Sequence, residues 1–126
     1  MIIKSKKVFT PNATSDLLVT SAVKMLKKKS DILDLGCGTG FVGLSISKNS
    51  RLKNNYYFSD ISPKAIQLCK KNAKKNNIKI EVKTGSIFQP WKNKKFDIIV
   101  ESISGIAKKV ASISPWYTNN IPCDCG

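Results

Sequence analysis

The stretch Ile32-Leu33-Asp34-Leu35-Gly36-Cys37-Gly38-Thr39-Gly40 decides the fold of this 126-residue chain. Ile32, Leu33 and Leu35 form an apolar run with little alternation, the pattern of a buried parallel strand. Gly36, Gly38 and Gly40 follow at alternate positions, where positive φ and close approach of backbone to a ligand are both open to them. From Phe41 the apolar spacing turns helical, with Val42, Leu44 and Ile46 facing inward over residues 40–48. The glycines thus join a strand to a helix, and free N–H groups and the positive dipole end sit at the strand's C-terminal edge. Open α/β sheets bind ligands at that edge. The tract is read as a nucleotide or nucleoside cofactor site.

Upstream, Thr10-Pro11 ends a short apolar and basic arm, and Asn12, Thr14 or Ser15 can cap a helix with Asp16 in its first turn. Leu18, Ala22, Met25 and Leu26 fall on one face of that helix, with Val19 and Val23 beside them, and Lys27, Lys28 and Lys29 suit its negative end. Downstream, a second strand over Asn55–Ser59 ends at Asp60, an acid placed to accept the two hydroxyls of a ribose. Ser62 and Pro63 are N-cap and first-turn residues of the next helix, whose apolar face holds Ile66, Cys69 and Ala73. A third strand spans Lys79–Lys83 with Ile80 and Val82 alternating against charge, and a fourth spans Phe96–Glu101. A short helix at Ile106–Ile113 and an aromatic pair, Trp116-Tyr117, close the readable part. Strand-helix alternation implies a Rossmann-like, doubly wound parallel sheet of at least four strands in order 3-2-1-4.

By spacing alone two cofactors stand. Gly38-x-Gly40-x-x-Gly43, with Asp60 about twenty residues on, fits the dinucleotide fingerprint and leaves a nicotinamide site open. Against it, Asp34 stands inside the strand end, ready to meet a cationic group, and the glycine run begins before the fingerprint needs it. The tract Asp34-Leu35-Gly36-Cys37-Gly38-Thr39-Gly40 also resembles, residue for residue, motif I of class I S-adenosylmethionine-dependent methyltransferases. The stretch from Asp60 to Ile78 looks like the second strand-helix unit of the small methyltransferases related to release-factor glutamine methyltransferase. Val8-Phe9-Thr10-Pro11 more loosely resembles the segment that precedes motif I in that group and covers the cofactor's methionine part.

The resemblance covers roughly residues 8 to 101 and implies S-adenosyl-L-methionine as cofactor. It places Asp34 and the backbone of Gly36, Cys37, Gly38 and Gly40 at the amino acid end, Asp60 at the ribose, and Ser86 with Ile87 at the adenine, and Ile61 is counted among the cofactor-binding residues. Ser86 stands where the family often has an acid, so its bond to the adenine amino group is weaker. Glu101, the terminal acid of the fourth strand, and Ser102 after it are candidates to touch the acceptor. Here the chain departs from its relatives: the glutamine and amino-group enzymes have Asn-Pro-Pro-Tyr where this chain has Ser102-Ile103-Ser104-Gly105. Their substrate chemistry is therefore not carried over, and the acceptor is left as RNA, protein or a small molecule. Without that motif, a non-catalytic partner subunit is the alternative from another class.

The whole of 1–126 is read as one cofactor-binding domain: arm and first helix over 1–30, α/β core over 31–113, loop-like tail over 114–126. The full class I sheet has seven strands, so three are expected to be missing, supplied by a longer protein or by another chain. No apolar run reaches the roughly 18 residues of a membrane span, no signal-like core follows the N-terminal lysines, and a cytoplasmic location is expected. The net charge of +14 admits a nucleic-acid partner. It is discounted because 21 of the 22 basic residues are lysine, Arg51 being the exception, and arginine is the residue suited to bidentate base and phosphate contacts. With no histidine in the chain, Cys123-x-Cys125 is not read as a metal site, and Cys37 is expected to pack rather than attack.

Overall fold

The computed structural model describes residues 2–5, 8, 11–103 and 113. Among the described residues three α-helices, α1 (Ala13–Met25), α2 (Phe41–Asn49) and α3 (Pro63–Lys75), alternate with four strands. The strands are β1 (Asp31–Leu35), β2 (Asn55–Asp60), β3 (Glu81–Thr84) and β4 (Ile98–Glu101). All three neighbour pairs are parallel and the order is β3-β2-β1-β4, as the alternation implied.

The helices start where the local chemistry directs. Asn12 caps α1 by accepting the Thr14 and Ser15 N–H groups, and the Ser15 hydroxyl returns a bond to the Asn12 N–H. Ser62 caps α3 through the Ala65 N–H, with Pro63 in the first turn where its missing donor costs nothing. At the other end of α3 the Ile78 N–H reaches the Ala73 carbonyl, the Asn77 N–H reaches that of Lys74, and Asn77 sits at φ 54°. This closure, with a left-handed residue just past the helix end, occupies residues 76–78. β3 consequently begins at Glu81 rather than Lys79.

The period-two alternation of strands sorts the core into two faces. Ile32, Tyr56, Phe58 and Val100 point to the face on which α1, α2 and α3 pack through Val19, Ala22, Val42, Leu44, Ile46, Ile66, Cys69 and Ala73. Leu33 and Leu35 point the other way, against Trp91 of a 3-10 turn (Gln89–Trp91) that the sequence reading did not anticipate. Tyr57, Trp91 and Phe96 meet there edge to face, with centroids 5.3 to 5.8 Å apart. Phe96 is thereby drawn into this trio, Asp97 accepts the Asp31 N–H, and β4 starts at Ile98 instead of Phe96. Met25 is a second correction. The buried stripe of α1 is Ser15, Val19 and Ala22, which leaves Met25 exposed. The helix expected at 106–113, the Trp116-Tyr117 pair and Cys123-x-Cys125 lie outside the described residues, Ile113 apart.

Candidate functional site

The glycine tract leaves β1 at the C-terminal edge of the sheet and is fastened to the end of β2. Gly36, Gly38 and Gly40 have φ of 69°, 52° and 79°, a left-handed region that residues with a Cβ enter at a cost. The Gly36 and Cys37 N–H groups both donate to the Ser59 carbonyl, at 2.8 and 3.0 Å, and the Gly40 N–H closes onto Cys37. A Cβ on Gly40 would come within 2.7 Å of the Cys69 sulfur in α3, so the loop lies close on that helix.

Asp60 and Asp34 serve this loop in different ways. The Asp60 carboxylate accepts the Gly38 N–H at 2.9 Å with one oxygen and the Ser62 N–H at 2.8 Å with the other, joining the loop to the start of α3. It is half-buried, and each carboxylate oxygen retains a further acceptor position for a ligand hydroxyl. Asp34 lies deeper, at 4% exposure, and accepts the Gly43 N–H at 2.8 Å. Burial lifts its carboxyl to about 7, the Gly43 N–H opposes the rise, and the nearby Asp60 charge adds to it. Gly43 has its own reason to be glycine. Its missing Cβ makes room for the Phe58 ring, and α2 packs tightly on β2 as a result.

Register places the other predicted residues along the same edge. Asp60 pairs with Thr84 and Leu35 with Glu101, so the chain leaves β2, β3 and β4 beside the loop. Ile61 and Ile87 are 61% and 58% exposed, and Ser86 is exposed next to Ile87. Ile87 holds φ 43°, costly for a β-branched residue. Glu101, the last residue of β4, and Ser102 just past it are exposed, and Ile103 lies against Gly36, where a Cβ would strike it. Cys37 is buried. Its thiol is pushed well above the usual range, by a hydrogen bond with Cys69 and then by burial, which makes it a poor nucleophile.

Sequence reasoning placed Val8 in a segment that covers the cofactor site but missed its contacts with α3 and the loop, and missed Asn72 altogether. Val8 of the arm packs on Ala65 and Leu68 and approaches the Cβ position of Gly38 to 3.4 Å. Asn72, fully buried in α3, bonds the Thr39 carbonyl of the loop at 2.9 Å. A polar residue inside the Ile66, Cys69, Ala73 stripe was the signal for it. A groove of about 550 Å³, lined by arm residues Ile2 and Lys4 with Pro11, Phe41, Ser45 and Lys48, opens beside the loop rather than over it. None of the residues 36–40 lines this groove, whereas Asp34 and Asp60 both lie at the glycine loop.

A parallel sheet with a glycine loop strapped to an acid at the next strand end defines a cofactor-binding α/β domain. The model of the methyltransferase small domain family matches residues 2–102, and the chain belongs to that family. It is 29% identical over 119 residues to the release factor glutamine methyltransferase of Aquifex aeolicus, covering 90% of this chain and 42% of that protein. It therefore spans less than half the length of this relative. Among solved structures, the ribosomal protein L11 methylase of Lactobacillus delbrueckii subsp. bulgaricus superposes with TM-score 0.64 at 22% identity, over 88% of this chain and 56% of that one. The tRNA (uracil-54, C5)-methyltransferase of Pyrococcus abyssi, in complex with S-adenosyl-L-homocysteine, gives 0.56 at 24%, over 71% of this chain and 22% of that one. These last two likenesses establish the class I methyltransferase fold. With the family in hand, the nicotinamide alternative loses its ground; Gly43, which packs on Phe58, fits either motif.

Proposed function

We propose that residues 1–126 form one domain, the cofactor-binding part of an S-adenosylmethionine-dependent methyltransferase. The observation that carries this reading is the Gly36–Gly40 loop, three left-handed glycines bonded to Ser59 and Asp60 at the sheet edge. In it the loop backbone receives the amino acid end of the cofactor, with Asp34 beneath it as the nearest buried carboxylate. Asp60 accepts the ribose hydroxyls while it holds Gly38, and exposed Ile61 and Ile87 cover the adenine, with Ser86 beside them. Glu101 and Ser102 face the acceptor from β4.

S-adenosylmethionine supplies a methyl group on a sulfonium, which leaves as a neutral thioether when an acceptor lone pair takes the methyl. The chain's own task is placement, because holding the acceptor in line supplies much of the rate. The buried, neutral Cys37 thiol takes no part. The acceptor is a protein, an RNA or a small molecule; the names of the relatives support the first two classes. A cytoplasmic location belongs to the same reading, and the adjacent free thiols of Cys37 and Cys69 support it. A second reading, a non-catalytic partner subunit, is favoured by one observation, the Ser102-Ile103-Ser104-Gly105 sequence after β4.

Calorimetric titration of the purified chain with S-adenosylhomocysteine, with NAD as control, tests the proposal. Micromolar binding of the first and none of the second is expected. Binding of neither by a folded chain removes the cofactor reading. Methylation of an acceptor by the full-length protein alone would then exclude the partner-subunit reading.

A further inference from the structure

We infer that Asn72 is a positioning residue that ties the N-terminal arm to the cofactor loop, so that arm docking and cofactor binding are coupled. The inference rests on the cofactor reading of the glycine loop and adds to it a second element that the ligand senses.

Asn72 is fully buried on the apolar face of α3. Its amide is used on three sides. Oδ1 accepts the Ile3 N–H at 2.6 Å, and Nδ2 donates to the Ile3 carbonyl at 3.1 Å and to the Thr39 carbonyl at 2.9 Å. Both backbone groups of Ile3 therefore end on one side chain, as they would on a neighbouring strand. Only one orientation of the amide satisfies all three partners. A buried amide is costly unless its bonds are made, so the residue's contribution is the link it makes between two segments distant in sequence.

The arm closes the circuit at its other end. Val8, five residues beyond Ile3, is buried on Ala65 and Leu68 of α3 and touches the Gly38 position. Gly38 is followed by Thr39, the residue Asn72 holds. Ile3 thus sits at Asn72 on α3, while Val8 sits nearer the helix start and reaches the loop. Ile2 and Lys4, on either side of Ile3, form one wall of the groove beside α2. A ligand that orders Gly38 and Thr39 lowers the cost of docking the arm, and by linkage a docked arm strengthens the ligand to the same degree.

The test uses the full chain, S-adenosylhomocysteine and two changes, Asn72→Leu and deletion of residues 1–5. In the unaltered chain, saturating ligand is expected to slow amide hydrogen exchange in residues 2–5 about tenfold, the scale of a modest coupling between sites. The same ligand should leave exchange there unchanged in Asn72→Leu. Each change should weaken ligand binding about tenfold, and the two together no more than either alone, because both break one circuit. Ligand binding without any effect on arm exchange overturns the coupling, and so do two losses that multiply. Should Asn72→Leu fail to fold, arm exchange in the unaltered chain and the affinity of the deletion decide the question. Failure of the unaltered chain to bind the ligand overturns the cofactor reading itself and the coupling with it, and is seen first.

Discussion

The Asp34 carboxylate accepts the Gly43 N–H at 2.8 Å inside the core, one turn into α2. A half-protonated acid in such a place ties stability to pH. The folded chain holds the proton up to about 7, whereas the ordinary value is 3.8. Between those values the folded state binds a proton that the unfolded state has lost, so stability falls as pH rises. At 1.36 kcal/mol per unit, the total loss is on the order of 4 kcal/mol by pH 8. Urea midpoints measured from pH 5 to pH 8 should decline, and Asp34→Asn, which keeps an acceptor for Gly43, should flatten the slope. A profile unchanged by the substitution would assign the pH dependence elsewhere.

Asp60 makes two bonds that a ligand-binding loop depends on. Asp60→Ala removes the acceptor for both the Gly38 and the Ser62 N–H groups and any acceptor for the ribose. Charge-assisted hydrogen bonds contribute about 1.5–3 kcal/mol each, so S-adenosylhomocysteine should bind ten to more than a hundredfold more weakly. Calorimetry on a variant with unaltered circular dichroism checks this, and unchanged affinity would take Asp60 out of the site.

Gly43→Ala sets two effects against each other. Alanine is about 1 kcal/mol better than glycine in a helix. Its Cβ, however, would sit 2.5 and 2.6 Å from Phe58 ring carbons and 3.1 Å from the Asp34 Oδ2. Phe58 is fully buried and has nowhere to go. Overpacking of this kind costs about 1–3 kcal/mol or more, so after the helix gain the variant should lose about 1 kcal/mol in denaturant titration. Phe58→Leu should restore part of that loss when combined with it, and simple addition of the two penalties would argue against the clash.

Ile87 trades stability for contact area. Its φ of 43° costs about 1–2 kcal/mol, more than the roughly 0.5–1 kcal/mol of extra entropy glycine loses on folding. Ile87→Gly should therefore raise thermal stability slightly. It also removes an exposed side chain from the proposed adenine seat, so ligand affinity should fall about five to tenfold, as loss of part of an isoleucine's burial implies. A variant that gains stability and keeps its affinity would remove Ile87 from that seat.

Sheet order, β1, the caps of α1 and α3 and the positions of Asp34 and Asp60 were legible in the sequence because each is announced locally. An apolar run breaks into glycines, or Ser62-Pro63 stands at a helix start. Most of what escaped depends on partners far away in the chain. Asn72 reaches Ile3 across 69 positions, and no local pattern announces such a bond. Phe96 looked like strand until Tyr57 and Trp91 claimed it. The start of β3 was missed by two residues because Asn77 acts in closing α3. Roles facing the ligand rest on residue type and resemblance, whereas the bonds of Asp34 and Asp60 to the loop rest on geometry.

All three helices pack on one face, while the β3–β4 connection passes over the other through Trp91. The chain thus winds one way from β1 to β3 and the opposite way to β4, each crossover keeping its right hand. Between β1 and β4 the connections part, and the sheet has its topological switch point there. Gly36 and Glu101 stand on its two sides. In the proposed reading, access of an acceptor to the methyl group is in this way a property of chain winding, available before any side chain is chosen to exploit it.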